Sequence, residues 1–291
     1  TTESEWDMAM TAGISWHPTD PNICFAAAMS GLYKSVDAGK SFTRCNIGLT
    51  PSTNAAPILT TGGVSYTAPM ACVIQDRSDS SGNTWLAFGG APRGYWDEAS
   101  QPAHHTGTVW RTTDCGVTWD GSWKIPGEPQ IYSAAWSGTT NTVICSEPSG
   151  AVWKSTNNGQ TWSNFSSGLG GFDNQFFIVT AHPTQPGYFY GVGWFGHTFY
   201  TDGNNYWTEA TGIDYGDIHN YLANTVHICV SKSNPSHVWV GTYQGIFKST
   251  DGGHHFSAVL NGSMEYKMTS TPAYTFGASG QGLAIDPTDP N

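Results

Sequence analysis

The nine residues Lys248–Phe256 read KSTDGGHHF, with a hydroxyl, a carboxylate, paired glycines and an aromatic ring in one short string. Ser, Asp and His at such spacing are the groups of a catalytic loop. The string is not unique, however. KSVDAGKSF occupies residues 34–42, RTTDCGVTW 111–119, KSTNNGQTW 154–162 and the shorter YTDGNNYW 200–207. A catalytic loop is not normally written five times in one chain. Repetition points to a turn instead. A Ser or Thr hydroxyl and an Asp carboxylate can both accept backbone N–H groups within a tight hairpin, and the Gly permits positive φ. Asp37, Asp114, Asn157, Asp202 and Asp251 are therefore expected to brace turns, and the aromatic after each to enter the core.

Other residues have the types that hold sugars. Aromatic faces stack on sugar C–H surfaces while carboxylates bond hydroxyls. Tyr95, Trp96, Trp194, Phe195 and Tyr243 supply such faces, with Asp214 and Asp217 beside them; Trp123 is a further aromatic of this set. Glycoside hydrolysis needs two carboxylates across the scissile bond. Asp97 and Glu147 are the first pair to consider, because both fall on second-to-third strand connections of adjacent repeats. The long stretch Arg93–His105 is the best single candidate for a functional loop. His104–His105 and the group Asp214, Asp217 and His219 have metal-ligand types. They read as solvated loop residues, and no metal or cofactor is expected.

These side chains must be positioned by the repeat. The acidic or amide positions of the five strings are separated by 77, 43, 45 and 49 residues. A period of about 40–50 residues is that of a propeller blade. The long interval carries extra residues in LTPSTNAAPILTTGGVSYTAP and GAPRGYWDEASQPAHHTG. Each period has the same grammar: an apolar strand, a Pro/Asn/Ser/Gly turn, a second strand, then a third running into the box and a fourth leaving it. Four short antiparallel strands per period predict an all-β chain, a β-propeller of four-stranded blades. The blades are expected near 11–47, 64–124, 131–166, 175–210 and 225–261, within one domain or fragment spanning 1–291. GLAIDPTDPN, near residue 281, reads as the first strand and turn of a sixth blade. The chain is thus expected to be part of a larger propeller of the seven-bladed type.

Composition narrows the function. The formal charge is −11, with 11 Lys and Arg against 22 Asp and Glu in 291 residues. Such a balance offers no basic face for nucleic acid and disfavours polyanionic partners. No stretch approaches the ~20 apolar residues that span a bilayer. The six cysteines include no CxxC pair; Cys24 and Cys45 can bridge within one repeat, or all six can serve as small buried hydrophobes.

S/T-x-D-x-G-x-x-W/F at this period resembles the Asp-box, or BNR, repeat of sialidases, sortilin-type receptors and the xyloglucanases of glycoside hydrolase family 74. SWHPTDPN at 15–22 and AIDPTDPN at 284–291 are most similar to the xyloglucanase group. The resemblance implies an extracellular or cell-surface propeller directed at neutral polysaccharides or oligosaccharides. It also implies a catalytic Asp just after the second strand of the first blade, with a partner acid from a second propeller. Ala28 stands at the Asp position, which favours glycan binding over hydrolysis. The sialidase reading is poor: of Arg44, Arg77, Arg93 and Arg111, only Arg93 falls on a ligand-bearing connection. A non-enzymatic scaffold that binds other protein chains, as in sortilin-like receptors, is the alternative.

Overall fold

In the computed structural model, residues 13–28, 31–49, 60–61, 64–65, 70–89, 107–138, 140–147, 149–170, 176–193, 197–213, 225–242 and 245–261 are described. None of these is helical. The first sheet comprises β1 (Gly13–Trp16), β2 (Cys24–Ala28), β3 (Gly31–Ser35) and β4 (Thr43–Arg44). A short hairpin follows, β5 (Thr60–Thr61) and β6 (Val64–Ser65), which the sequence pattern does not predict. The second sheet is β7 (Met70–Gln75), β8 (Trp85–Gly89), β9 (Thr108–Thr112) and β10 (Asp120–Lys124). The third is β11 (Ser133–Trp136), β12 (Val143–Ser146), β13 (Val152–Ser155) and β14 (Ser163–Asn164). The fourth is β15 (Phe176–Ala181), β16 (Tyr188–Gly193), β17 (Thr198–Asp202) and β18 (Thr208–Glu209). The fifth is β19 (Thr225–Val230), β20 (Val238–Thr242), β21 (Gly245–Ser249) and β22 (Ser257–Asn261).

Every one of the five is an antiparallel meander with its strands in chain order. In such a meander the first and third turns share one end of the sheet and the second turn lies at the other. The backbone ties the two shared-end turns together. The N–H of Ala38 bonds the carbonyl of Asn22 at 2.9 Å, and Cys115 to Asn83, Asn158 to Asn141 and Gly252 to Ser236 repeat the bond at 2.9–3.0 Å.

The chain divides into two units, residues 1–165 with three sheets and 166–291 with two. In the first unit the second strands β2, β8 and β12 are buried on both faces, and side chains alternate between neighbours. Trp85 and Ala87 of β8 join Phe25, Ala27 and Leu32 of the first sheet in one core. Leu86 and Phe88, pointing the other way, join Val143 and Cys145 of the third. Aromatics anchor both seams: Phe25 meets Trp119 edge-on at 6.2 Å, and Phe88 meets Trp162 at 5.9 Å. Full burial of one such side chain contributes about 1.5–3 kcal/mol. In the second unit Tyr190 and Val192 pack with Ile228, Val238, Val240 and Phe256.

Candidate functional site

The box turns show what their polar residues do. The Thr112 hydroxyl donates to Asp114 Oδ1 at 2.6 Å and accepts the N–H groups of Asp114 and Gly116. The Asp114 carboxylate then accepts the Thr118 N–H at 2.9 Å and the Thr118 hydroxyl at 2.6 Å. Ser35, Asp37, Gly39 and Ser41 reproduce this network bond for bond. Asn157 does the same with an amide, its Nδ2 donating to Thr161 Oγ1 at 2.9 Å. The turn needs two successive residues at positive φ: Ala38 and Gly39, Cys115 and Gly116, Asn158 and Gly159, Gly252 and Gly253.

Two boxes depart from the rule. YTDG is one residue shorter between hydroxyl and carboxylate, so Thr201 turns its hydroxyl to the Asn204 carbonyl at 2.8 Å, and Asp202 accepts from the Asn204 backbone and side chain. In the last box Asp251 takes the Ser249 hydroxyl and the N–H groups of His254 and His255, but His255 replaces the capping hydroxyl. The paired histidines tie the fourth and fifth sheets together. His254 stacks on Tyr200 at 4.4 Å and its Nε2 lies 2.8 Å from the Tyr188 hydroxyl, while His255 Nδ1 lies 3.0 Å from Thr211 Oγ1. Burial pushes the Tyr188 phenol up to about 12, so it meets His254 as a neutral hydroxyl.

Hydrogen bonds from Ser41 and Ser35 hold Asp37 down at about 2. For Asp114 burial acts upward, but bonds from Thr112 and Thr118 outweigh it and its value also falls to about 2. These carboxylates are satisfied acceptors on a turn rather than proton-transfer groups.

The other end of the sheets carries the second-to-third connections. Ala28, the last residue of β2, is fully buried and opposite Gly31 in the register. Glu147 follows β12 and heads a tight turn, its N–H bonding the Ala151 carbonyl and its carbonyl taking the Gly150 N–H at 3.1 Å. Its carboxylate accepts the Ser149 hydroxyl at 2.5 Å. Asp97, Tyr95, Trp96, Trp194, Phe195, Asp214, Asp217 and Tyr243 lie outside the described residues, as do the Arg93–His105 stretch, His219 and the region near 281. Trp123 is placed on β10, an outer strand, where it packs partly buried against the core between the second and third sheets rather than on a connection.

Two charged pairs at this end escape the sequence pattern. Lys124 Nζ donates to Thr108 Oγ1 at 2.7 Å and to Glu128 at 2.9 Å. His197 Nδ1 lies 2.5 Å from Glu209 Oε1. Lys124 meets Thr108 through the pairing of β9 with β10 and Glu128 across the turn that follows β10, whereas His197 and Glu209 are brought together by the pairing of β17 with β18.

The cysteines are all unbridged, including Cys24 and Cys45. Burial raises Cys45 and Cys72 to about 12 and Cys229 to about 11. Thiols raised in this way are protonated at neutral pH and poor nucleophiles.

Repeated four-stranded antiparallel sheets, packed face to face with matching turns, define the blades of a β-propeller. Solved structures of that class are similar to this chain. One is a glycoside hydrolase family 74 xyloglucanase from Xanthomonas campestris, with a TM-score of 0.56 and 15% identity, over 84% of this chain and 38% of that one. Another is the extracellular domain of BT4673 from B. thetaiotaomicron, with a TM-score of 0.56 and 10% identity, over 90% of this chain and 29% of that one. The chain thus spans well under half of the length of either. No protein-family model and no curated protein matches the sequence.

Proposed function

We propose that this chain is an extracellular or cell-surface propeller module that binds a neutral polysaccharide or oligosaccharide without hydrolysing it. The observation that carries the reading is Ala28. It ends β2 fully buried, at the position where the resemblance to xyloglucanases calls for a carboxylate. General-base catalysis typically contributes ~10²–10⁴-fold, and a buried methyl group provides none of it. Binding is supported by the aromatic content, 13% of residues, and by the Trp and Tyr side chains of the connections. The Asp-box pattern of the turns and the fold shared with a xyloglucanase agree with a glycan-directed module, although fold alone does not assign activity. The extracellular setting follows the same resemblance.

The test is native electrophoresis in gels containing xyloglucan or mixed-linkage β-glucan, with a reducing-end assay on the same preparations. Retardation without release of reducing ends is expected. Absence of retardation in any neutral glycan gel would replace this reading with the protein-binding scaffold. Turnover lost in Asp97→Asn or Glu147→Gln would instead place an acid/base pair in the second and third blades.

A further inference from the structure

The fourth sheet carries an unusual polar pair at the end that bears the second-to-third connections. Glu209 is the last residue of β18 and stands opposite Phe199 in the register. His197 precedes β17 by one residue, and its carbonyl accepts the Gly193 N–H at 3.0 Å, closing the β16–β17 connection. This geometry brings the His197 imidazole to the Glu209 carboxylate, Nδ1 to Oε1 at 2.5 Å. The His197 ring is mostly covered, 18% exposed, while Glu209 is 43% exposed. Glu209 Oε2 has no hydrogen-bond partner among the described residues. The corresponding edges of the first and second sheets present Leu32 with Asn46 and Thr108 with Lys124. Among the described residues, only the fourth pairs an imidazole with a carboxylate.

We propose that Glu209, held by His197, is a hydroxyl-binding subsite for a neutral glycan. An exposed glutamate ordinarily loses rotamer freedom when it binds. Here a mostly covered imidazole fixes one of its oxygens beforehand, while the glutamate side chain stays 43% exposed. Because the imidazole donates to the same carboxylate, it diminishes the charge available to a cation and leaves a group suited to neutral O–H donors. His197 acts here as a positioning residue. The inference rests on the glycan-binding reading above and names where on the module a sugar hydroxyl is held.

Affinity electrophoresis of the full chain in xyloglucan and mixed-linkage β-glucan gels tests it, with melting temperature as a folding check. Glu209→Ala removes the acceptor and should weaken retardation roughly tenfold, the worth of one hydrogen bond to a charged group. His197→Leu should weaken it less, and His197→Asn, which keeps a donor for Oε1, should restore most of it. The melting temperature of Glu209→Ala should barely move, because that side chain is 43% exposed; for the His197 variants it reports whether the fold is kept. If the wild type is retarded and Glu209→Ala is retarded equally, the subsite is wrong while the glycan reading stands. If His197→Leu binds like the wild type, His197 has no positioning role. If the wild type is retarded by neither polysaccharide, both readings fall together.

Discussion

Thr112 shows how much one side chain organises. Its hydroxyl, on a residue 2% exposed, serves two backbone N–H groups and a carboxylate. Thr112→Val keeps the shape and strands those donors, and should cost about 1–3 kcal/mol, measured by urea unfolding. The carboxylates predict an acid response. Asp37 and Asp114 fall from a model-peptide value of 3.8 to about 2 in the fold. A depressed folded value means their stabilisation is fully present above pH 4 and is lost as pH falls toward 2. Replacing both by Asn, the residue already working at position 157, should flatten the pH dependence of unfolding in that window and leave neutral stability nearly unchanged. An unaltered acid limb would contradict this assignment. The bracing role of these residues was legible because their polar types recur at one spacing. The left-handed backbone at Ala38 and Cys115, φ 62° and 55°, was not, since neither residue type favours it.

Between elements, three glycines form a second repeat that the sequence carries but does not explain. Gly48, Gly168 and Gly212 follow the outer strands β4, β14 and β18, each at positive φ. An added Cβ would come within 1.8, 2.2 and 2.0 Å of the carbonyl oxygen of Trp119, Trp207 and Phe256 respectively. Each of those aromatics donates its own N–H to the residue before the glycine, at 2.8 Å. This latch joins the first sheet to the second, and the fourth to the fifth. Gly48→Ala should therefore destabilise by at least about 3 kcal/mol. Gly203→Ala, with φ +87° and nothing near its Cβ, should cost only about 1–2 kcal/mol. Similar losses at both sites would remove the latch from the account. The partner of each glycine lies in the following sheet, so the sequence alone gives no sign of the contact. The His197–Glu209 pair was hidden for the same reason: it depends on the register of the two-residue strand β18. The blade strands were legible from apolar runs between turn residues, whereas the β5–β6 hairpin lay in a stretch without that alternation.

At the scale of the whole molecule, the cysteines belong to the packing. The six thiols are unbridged, and burial raises Cys24, Cys45, Cys72, Cys145 and Cys229 above their ordinary value. In the native protein these five should resist Ellman's reagent at pH 8 and react fully only in denaturant; fast native titration would show that they are accessible. The proposed function falls on the ends of the sheets that carry the second-to-third connections, where Ala28 closes β2 without a carboxylate and Glu209 presents one held by His197. The most direct test of binding without hydrolysis is size-exclusion chromatography of the protein incubated with a xyloglucan oligosaccharide labelled at its reducing end. The label should co-elute with the protein and be recovered at its original length. Label eluting only as free ligand, or recovered shortened, would contradict the account.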